Sequence, residues 1–176
     1  IRNLELVRNM RDGSKRGTLL DVLDFTNTSM GARKLRSWIE CPLLDLGKIY
    51  ERQDAVAELL DNTTLREAVV ERLKAIYDLE RIVSRLEVGS ANARDLVSLR
   101  TSLAVLPEVK AMLANCKSRK LQKIYNNLHV HEDVYAALEA AIVDEPPFSV
   151  REGGMIRSGY NAELDELHLI AKDNKS

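Results

Sequence analysis

The chain has 176 residues and a formal net charge of −1, with 45% hydrophobic, 30% charged and only 5% aromatic residues. Such a length suits one domain, or a body with an extension, with a core of Leu, Val, Ile and Ala. The near-neutral charge argues against a surface that grips a nucleic-acid backbone along its whole length. Cys41 and Cys116 lie far apart with no CxxC spacing, so neither a zinc framework nor a disulfide scaffold is indicated and reduced thiols are the default. No apolar run approaches the roughly 20 residues that span a bilayer. The chain opens on "IRNLEL" without a methionine and closes on "LHLIAKDNKS" soon after a helix has begun. Both ends read as those of a piece excised from a longer protein.

In chain order, "RNLELVRN" alternates well enough for a short strand, and "RDGSKRGT" is a polar loop. Thr18 is placed to cap "LLDVLDF", and Thr28 to cap "SMGARKLRSWIE", whose apolar stripe is Met30, Leu35, Trp38 and Ile39 before Pro42 stops it. Asp45 caps the next helix, with Ile49, Ala55, Val56, Leu59 and Leu60 at helical spacing. Thr63 or Thr64 starts another, with Glu67 placed for a capping box with Thr64. "DLERIVSRL" presents Leu79, Ile82, Val83 and Leu86 to the core and stops at Gly89. "NARDLVSLRTSLAVL" has Asn92 and Asp95 at its start and is expected to end before Pro107. Residues 108–142 contain no Gly or Pro, with "CKSRK" and "HVHED" as the expected breaks. The pair Pro146–Pro147 ends that region. "FSV" and "MIR" then read as short extended pieces around Gly153–Gly154, and Asn161 caps a last helix, "AELDELHLIA".

None of the chemistry-bearing motifs is complete. Gly153, Gly154 and Gly159 do not have the spacing of a phosphate loop, which needs G-x-x-x-x-G-K-[ST], and a G-x-G-x-x-G turn after a long strand is also missing. His129 and His131 point about 200° apart on a helix, so they share a metal only in a loop or strand. "ELDELH" has Asp165, not Glu, three residues before His168, which is not the Glu-x-x-His of a di-iron bundle. Arg81, Arg85, Arg94 and Arg100 alternate with Asp78, Glu80, Glu87 and Asp95, a pattern of ion pairs at the edge of a packed core. No catalytic, cofactor-binding or metal-binding residue is assigned.

Three blocks carry a resemblance to a known family. The first has Leu23, Asp24, Thr26, Thr28, Met30, Gly31, Arg33, Leu35 and Trp38, then Pro42, Leu43 and Asp45, then Ile49, Arg52, Asp54, Ala55 and Val56. It resembles the L-D-x-T-x-T-x-M-G-x-R-x-L-x-x-W, P-L-x-D and I-x-x-R-x-D-A-V signature of the bacterial MutS family of DNA mismatch-repair proteins. The second, "DLERIVSR" followed by "ANARDL", is similar to that family's D-L-E-R-x-x-x-R and A-x-x-R-D-L segments, with Ala93 where proline is common. That proline would sit at a first helical position, where its loss matters little. The third, "DEPPFSVREGGMIRSGYNAELDEL", is similar to the segment joining the family's lever helices to its DNA clamp.

The resemblance covers essentially the whole chain and implies a mainly α fold, the multi-helical core (lever) domain with long lever helices and a minor short β element. It divides the chain into a helical core subdomain at 1–107, a lever helix region at 108–145, and a Pro/Gly joint with the start of the clamp-bound helix at 146–176. By the same resemblance, the whole protein is a DNA-dependent ATPase that uses ATP and Mg2+, dimerises, recognises mismatched double-stranded DNA and recruits MutL. Its location would be cytoplasmic and nucleoid-associated. The family's Phe-x-Glu mismatch reader and its Walker loop are absent from these residues, so no enzyme activity is expected of this segment alone. Pro146, Pro147, Gly153 and Gly154 are the expected structural joint. Met30, Leu35, Trp38, Leu79, Ile82 and Leu86 are the expected core packing. Two alternatives are the core of the second MutS-like branch, which acts in recombination, and a free-standing helical interaction module. The module would have a self-satisfied core, whereas a fragment would expose an apolar stripe along 108–142.

Overall fold

Side-chain caps set where the helices begin. The computed structural model describes residues 4–173, so the outermost parts of the two terminal segments assigned above lie outside the described residues. Among the described residues nine α-helices follow one another: α1 Leu19–Leu23, α2 Ser29–Glu40, α3 Leu46–Asp61, α4 Thr63–Leu73, α5 Leu79–Glu87, α6 Ala93–Leu113, α7 Arg119–Asn127, α8 Glu132–Ala141 and α9 Ala162–Asp173. Thr18, Thr28 and Asp45 each accept a backbone N–H in the first turn of α1, α2 and α3, satisfying a donor the helix leaves free. Asn92 and Asp95 form a reciprocal capping box at α6. In α2 the cap also explains Gly31. A Cβ there would stand 2.9 Å from the Thr28 hydroxyl oxygen, too close for any side chain.

The long α6 is the hub. It packs against α4, α5, α7 and α8, while α3 packs against α4 and α7. Its buried residues are Ala93, Arg100, Ser102, Leu103, Leu106, Val109 and Leu113. The fully buried Ser102 hydroxyl accepts from the Tyr77 N–H at 2.9 Å and donates to the Ser98 carbonyl at 2.8 Å, so its burial leaves no polar group unmet. A second apolar cluster joins Ala55, Leu113, Cys116 and Leu121, with Leu59, Leu65 and Tyr125 against it. Burial, with the Glu58 carboxylate nearby, pushes the Cys116 thiol above its ordinary value and keeps it protonated.

Several local expectations are corrected. The described part of "RNLELVRN" is a series of turns, not a strand. Its loop is gathered by Asn9, whose side chain accepts from the N–H groups of Asp12 and Gly13, and among the described residues no strand lies beside it. Asn62, not a threonine, caps α4 by accepting from the Leu65 N–H. Pro107 does not end its helix, which continues to Leu113. Pro107 lies on the exposed side, and the burial of Leu103, Leu106, Val109 and Leu113 outweighs the hydrogen bond it cannot donate.

Residues 108–142 are three helical pieces, the tail of α6 followed by α7 and α8, with breaks at the two places expected. Glu58 accepts from the N–H groups of Lys117 and Ser118 at the first break, drawing the chain onto α3. At the second, His131 takes a left-handed φ of 50°, and Lys110 donates to the Leu128 carbonyl. The apolar stripe expected there is largely covered: Val109, Leu113, Leu121 and Ile142 are buried, while Ile124 and Val134 remain exposed. Further exposed apolar side chains lie on α3 and α9, including Leu46, Val56, Leu60, Leu167 and Leu169.

Candidate functional site

The expected joint contains a built cluster. After α8, the chain pairs backwards: the Val143 N–H donates to the Met155 carbonyl at 3.0 Å and the Arg157 N–H to the Ala141 carbonyl at 2.8 Å. Ile142 and Ile156 thus form an antiparallel bridge. "MIR" therefore pairs with 141–143, not with "FSV". The residues after Phe148 turn instead into one 3-10 turn at Val150–Glu152, held by a reciprocal Ser149–Glu152 capping box.

Arg100 reaches this bridge from α6. Its side chain is only 9% exposed, and it donates to the Ile142 carbonyl at 2.9 Å and to Asp144 at 2.7 Å, with Glu139 at 3.3 Å. Arg157 approaches from the other side, donating to the same Asp144 oxygen at 2.6 Å and to the Glu139 carbonyl at 2.9 Å. Two guanidinium groups and two carboxylates thus balance one another, as a buried charge requires. The Arg157 guanidinium, with that of Arg100, holds the Asp144 carboxyl below its ordinary range. Arg94 adds a hydrogen bond to the Pro146 carbonyl at 3.3 Å and lies 5.6 Å from the centre of the Phe148 ring.

Of the four expected joint residues, Pro146 is buried under Arg94 and Pro147 is half-buried. Gly153 and Gly154 are exposed and both have φ of 71°, in a left-handed region that glycine enters freely. Of the expected core residues, Ile82 is buried, Met30, Leu35, Trp38 and Leu79 are half-buried, and Leu86 is exposed. Leu86 differs because α5 is short and packs on α6 through the Ile82 side alone. Trp38 is covered by Arg52 of α3, whose guanidinium stands 3.7 Å from the ring centre. Arg33, from the first signature block, bridges α2 to α5 by bonding both oxygens of Asp78 at 2.7 Å and also reaching Glu80. Those hydrogen bonds lower the Asp78 carboxyl to about 2.

Asp144 and Arg157 were not among the residues singled out by the sequence, and Arg100 was read only as one of a local set of ion pairs. Arg81 and Arg85 do pair within the anticipated set, with Asp78 and Asp95. Arg94 and Arg100 turn instead to the junction some 44–52 residues onward. The one available signal is position: Arg100 stands three residues before Leu103 and seven after Ala93, among residues that are buried. His129 and His131 have ring centres 6.1 Å apart. Among the described residues, no group of His, Cys, Asp and Glu is arranged to hold a metal, and no helix is long and apolar enough to cross a membrane.

Residues 1–174 match the family model described as MutS domain III. The chain is 48% identical over 175 residues to the DNA mismatch repair protein MutS of Symbiobacterium thermophilum, covering 99% of this chain and 20% of that protein. The protein of the same name from an Exiguobacterium species is 51% identical over 173 residues, covering 98% and 20%. That from Listeria monocytogenes is 45% identical over 175 residues, covering 99% and 20%. The chain thus spans about a fifth of the length of these relatives. With a mainly α fold, signature residues at the α2–α5 contact and a match from end to end, the chain belongs to the MutS family of DNA mismatch-repair proteins and corresponds to its domain III.

Proposed function

We propose that this domain is the mechanical middle of a mismatch-repair protein, passing conformational change between an ATPase region and a DNA-clamp region. The observation that carries this reading is the continuity from α6, through Arg100, to the junction that leads into α9. Transmission between distant sites needs packed elements that move as units, and α6 is about 30 Å long. The junction with Pro146, Pro147, Gly153 and Gly154 is the place where movement passes between the helical body and α9. In this reading ATP, Mg2+, mismatched DNA, MutL and a second subunit engage the longer protein through other regions, in the cytoplasm at the nucleoid. The domain alone then binds neither ATP nor mismatched DNA tightly.

The test is to insert two glycines between Gly153 and Gly154 in the full-length protein. Mismatch binding and ATP hydrolysis should each persist, while ATP-triggered release from mismatched DNA is lost. Unchanged release would overturn the proposal.

A further inference from the structure

Among the described residues, the helices differ in what closes their ends. Thr18, Thr28, Asp45, Asn62, Asp78, Asn92 and Asn161 cap α1 to α6 and α9 from within their own segments. The α7 helix does not cap itself. Its N-cap residue, Ser118, makes no side-chain cap bond, and its first turn carries Arg119 and Lys120 with no acidic residue. Cations there oppose the positive end of the helix dipole. At nine residues α7 is short, below the roughly 12–15 at which an isolated helix is still only marginal in water. Leu121 is its one buried residue.

The missing groups come from two other helices. Glu58 of α3 accepts the Lys117 N–H at 2.6 Å and the Ser118 N–H at 2.7 Å, one on each carboxylate oxygen. Glu51, two turns earlier on α3, stands 3.3 Å from Arg119 and 2.8 Å from Lys123. At the far end Lys110 of α6 donates to the carbonyl of Leu128, the C-cap residue, at 2.8 Å. Its ammonium also lies 5.5 Å from the centre of the Tyr125 ring. Leu121 completes the apolar cluster that joins Ala55 of α3 to Leu113 of α6. The α8 helix also lacks a side-chain cap, but Glu132 and Asp133 lie in its first turn, and Arg100 ties Glu139 and Ile142 to α6.

We propose that α7 is a conditional helix, a clasp between α3 and α6 that stays formed while Glu58 and Lys110 close its ends and unwinds without them while the α6 body stays folded. Segments with few buried contacts open as local units, below the free energy of global unfolding. With one buried side chain and borrowed caps, α7 is such a segment. Glu58 and Lys110 are then positioning residues, and parting α3 from α6 releases α7. The use of that release in ATP-driven movement rests on the function proposed above.

The experiment is hydrogen–deuterium exchange on this chain, read residue by residue by NMR. The amides of 122–128 should exchange at least about 100-fold faster than those of Leu103–Leu106 in α6. Glu58→Gln should speed exchange over 122–128 by about tenfold or more, as the loss of a charge-assisted hydrogen bond implies, and leave Leu103–Leu106 unchanged. Adding Ser118→Asp supplies a cap within the segment and should restore the slower rate. Lys110→Met keeps the stem and removes the donor; it should speed exchange at Asn127 and Leu128, and it carries the test should Glu58→Gln fail to fold. Exchange over 122–128 as slow as in α6 would overturn the conditional helix. An unchanged rate in either variant, a speeding shared by α6, or one that Ser118→Asp leaves in place would overturn the borrowed caps. The glycine-insertion release test bears on the proposed function alone, whereas these exchange rates bear on α7.

Discussion

Two helices with similar beginnings end in opposite circumstances. α6 and α9 are each capped by an asparagine that accepts a first-turn N–H, at 3.0 and 2.9 Å. Yet α6 buries seven residues among four neighbouring helices, while Ala162–Ala171 of α9 buries none. Even the charged Arg100 is less exposed than the apolar Leu167. Local chemistry starts a helix; neighbours decide whether its side chains leave water.

The sharpest way to break this contrast is truncation of one leucine in each helix. Leu103→Ala in α6 should cost about 3 kcal/mol, as expected for a buried leucine with a residual cavity, measured by urea denaturation. Arg100→Ala should come next, at about 2 kcal/mol, because its carboxylate partners are solvated enough to relax after a buried guanidinium is lost. Pro107→Ala should raise stability by about 1 kcal/mol, since alanine supplies the missing N–H to an exposed helix position at some cost in unfolded-state entropy. Leu167→Ala in α9 should change stability by less than about 0.5 kcal/mol. A large loss from Leu167→Ala would mean that α9 is packed after all.

The α2–α5 contact gives a pH test. The Asp78 carboxyl sits at about 2, below its ordinary 3.8, because the Arg33 guanidinium bonds its ionised form. Its contribution is therefore fully present above about pH 4 and is lost as pH falls through 2. The stability difference between the parent chain and Asp78→Asn should shrink over that window in thermal melts. The effect is modest because Arg33 is a partly exposed partner. A difference that stays constant down to pH 2 would contradict this pairing.

Much of the fold was legible because capping is local. Thr18, Thr28, Asp45, Asn92 and Asn161 all act at the helix starts assigned to them. The errors came where distant partners outweigh local preference. Pro107 stays in α6 because the helix faces buried neighbours on its other side. "MIR" passes over its near neighbour "FSV" and pairs across the 144–154 loop with the end of α8. Leu86 follows an apolar pattern but has no neighbour to cover it.

The sequence by itself determined most of the helix starts, the mainly α class and, through its three signature blocks, the family. Each of these depends on residues within a few positions of one another. Only the tertiary structure decided that Arg100 leaves the charges beside it for Asp144, and that the restraints on the junction end at Arg157. Ion pairing and burial depend on which surfaces meet, and residues 44 positions apart carry no local mark of that meeting. The double proline and double glycine are visible from sequence alone. What holds them follows from contacts with distant residues, Arg94 and Arg100 above all.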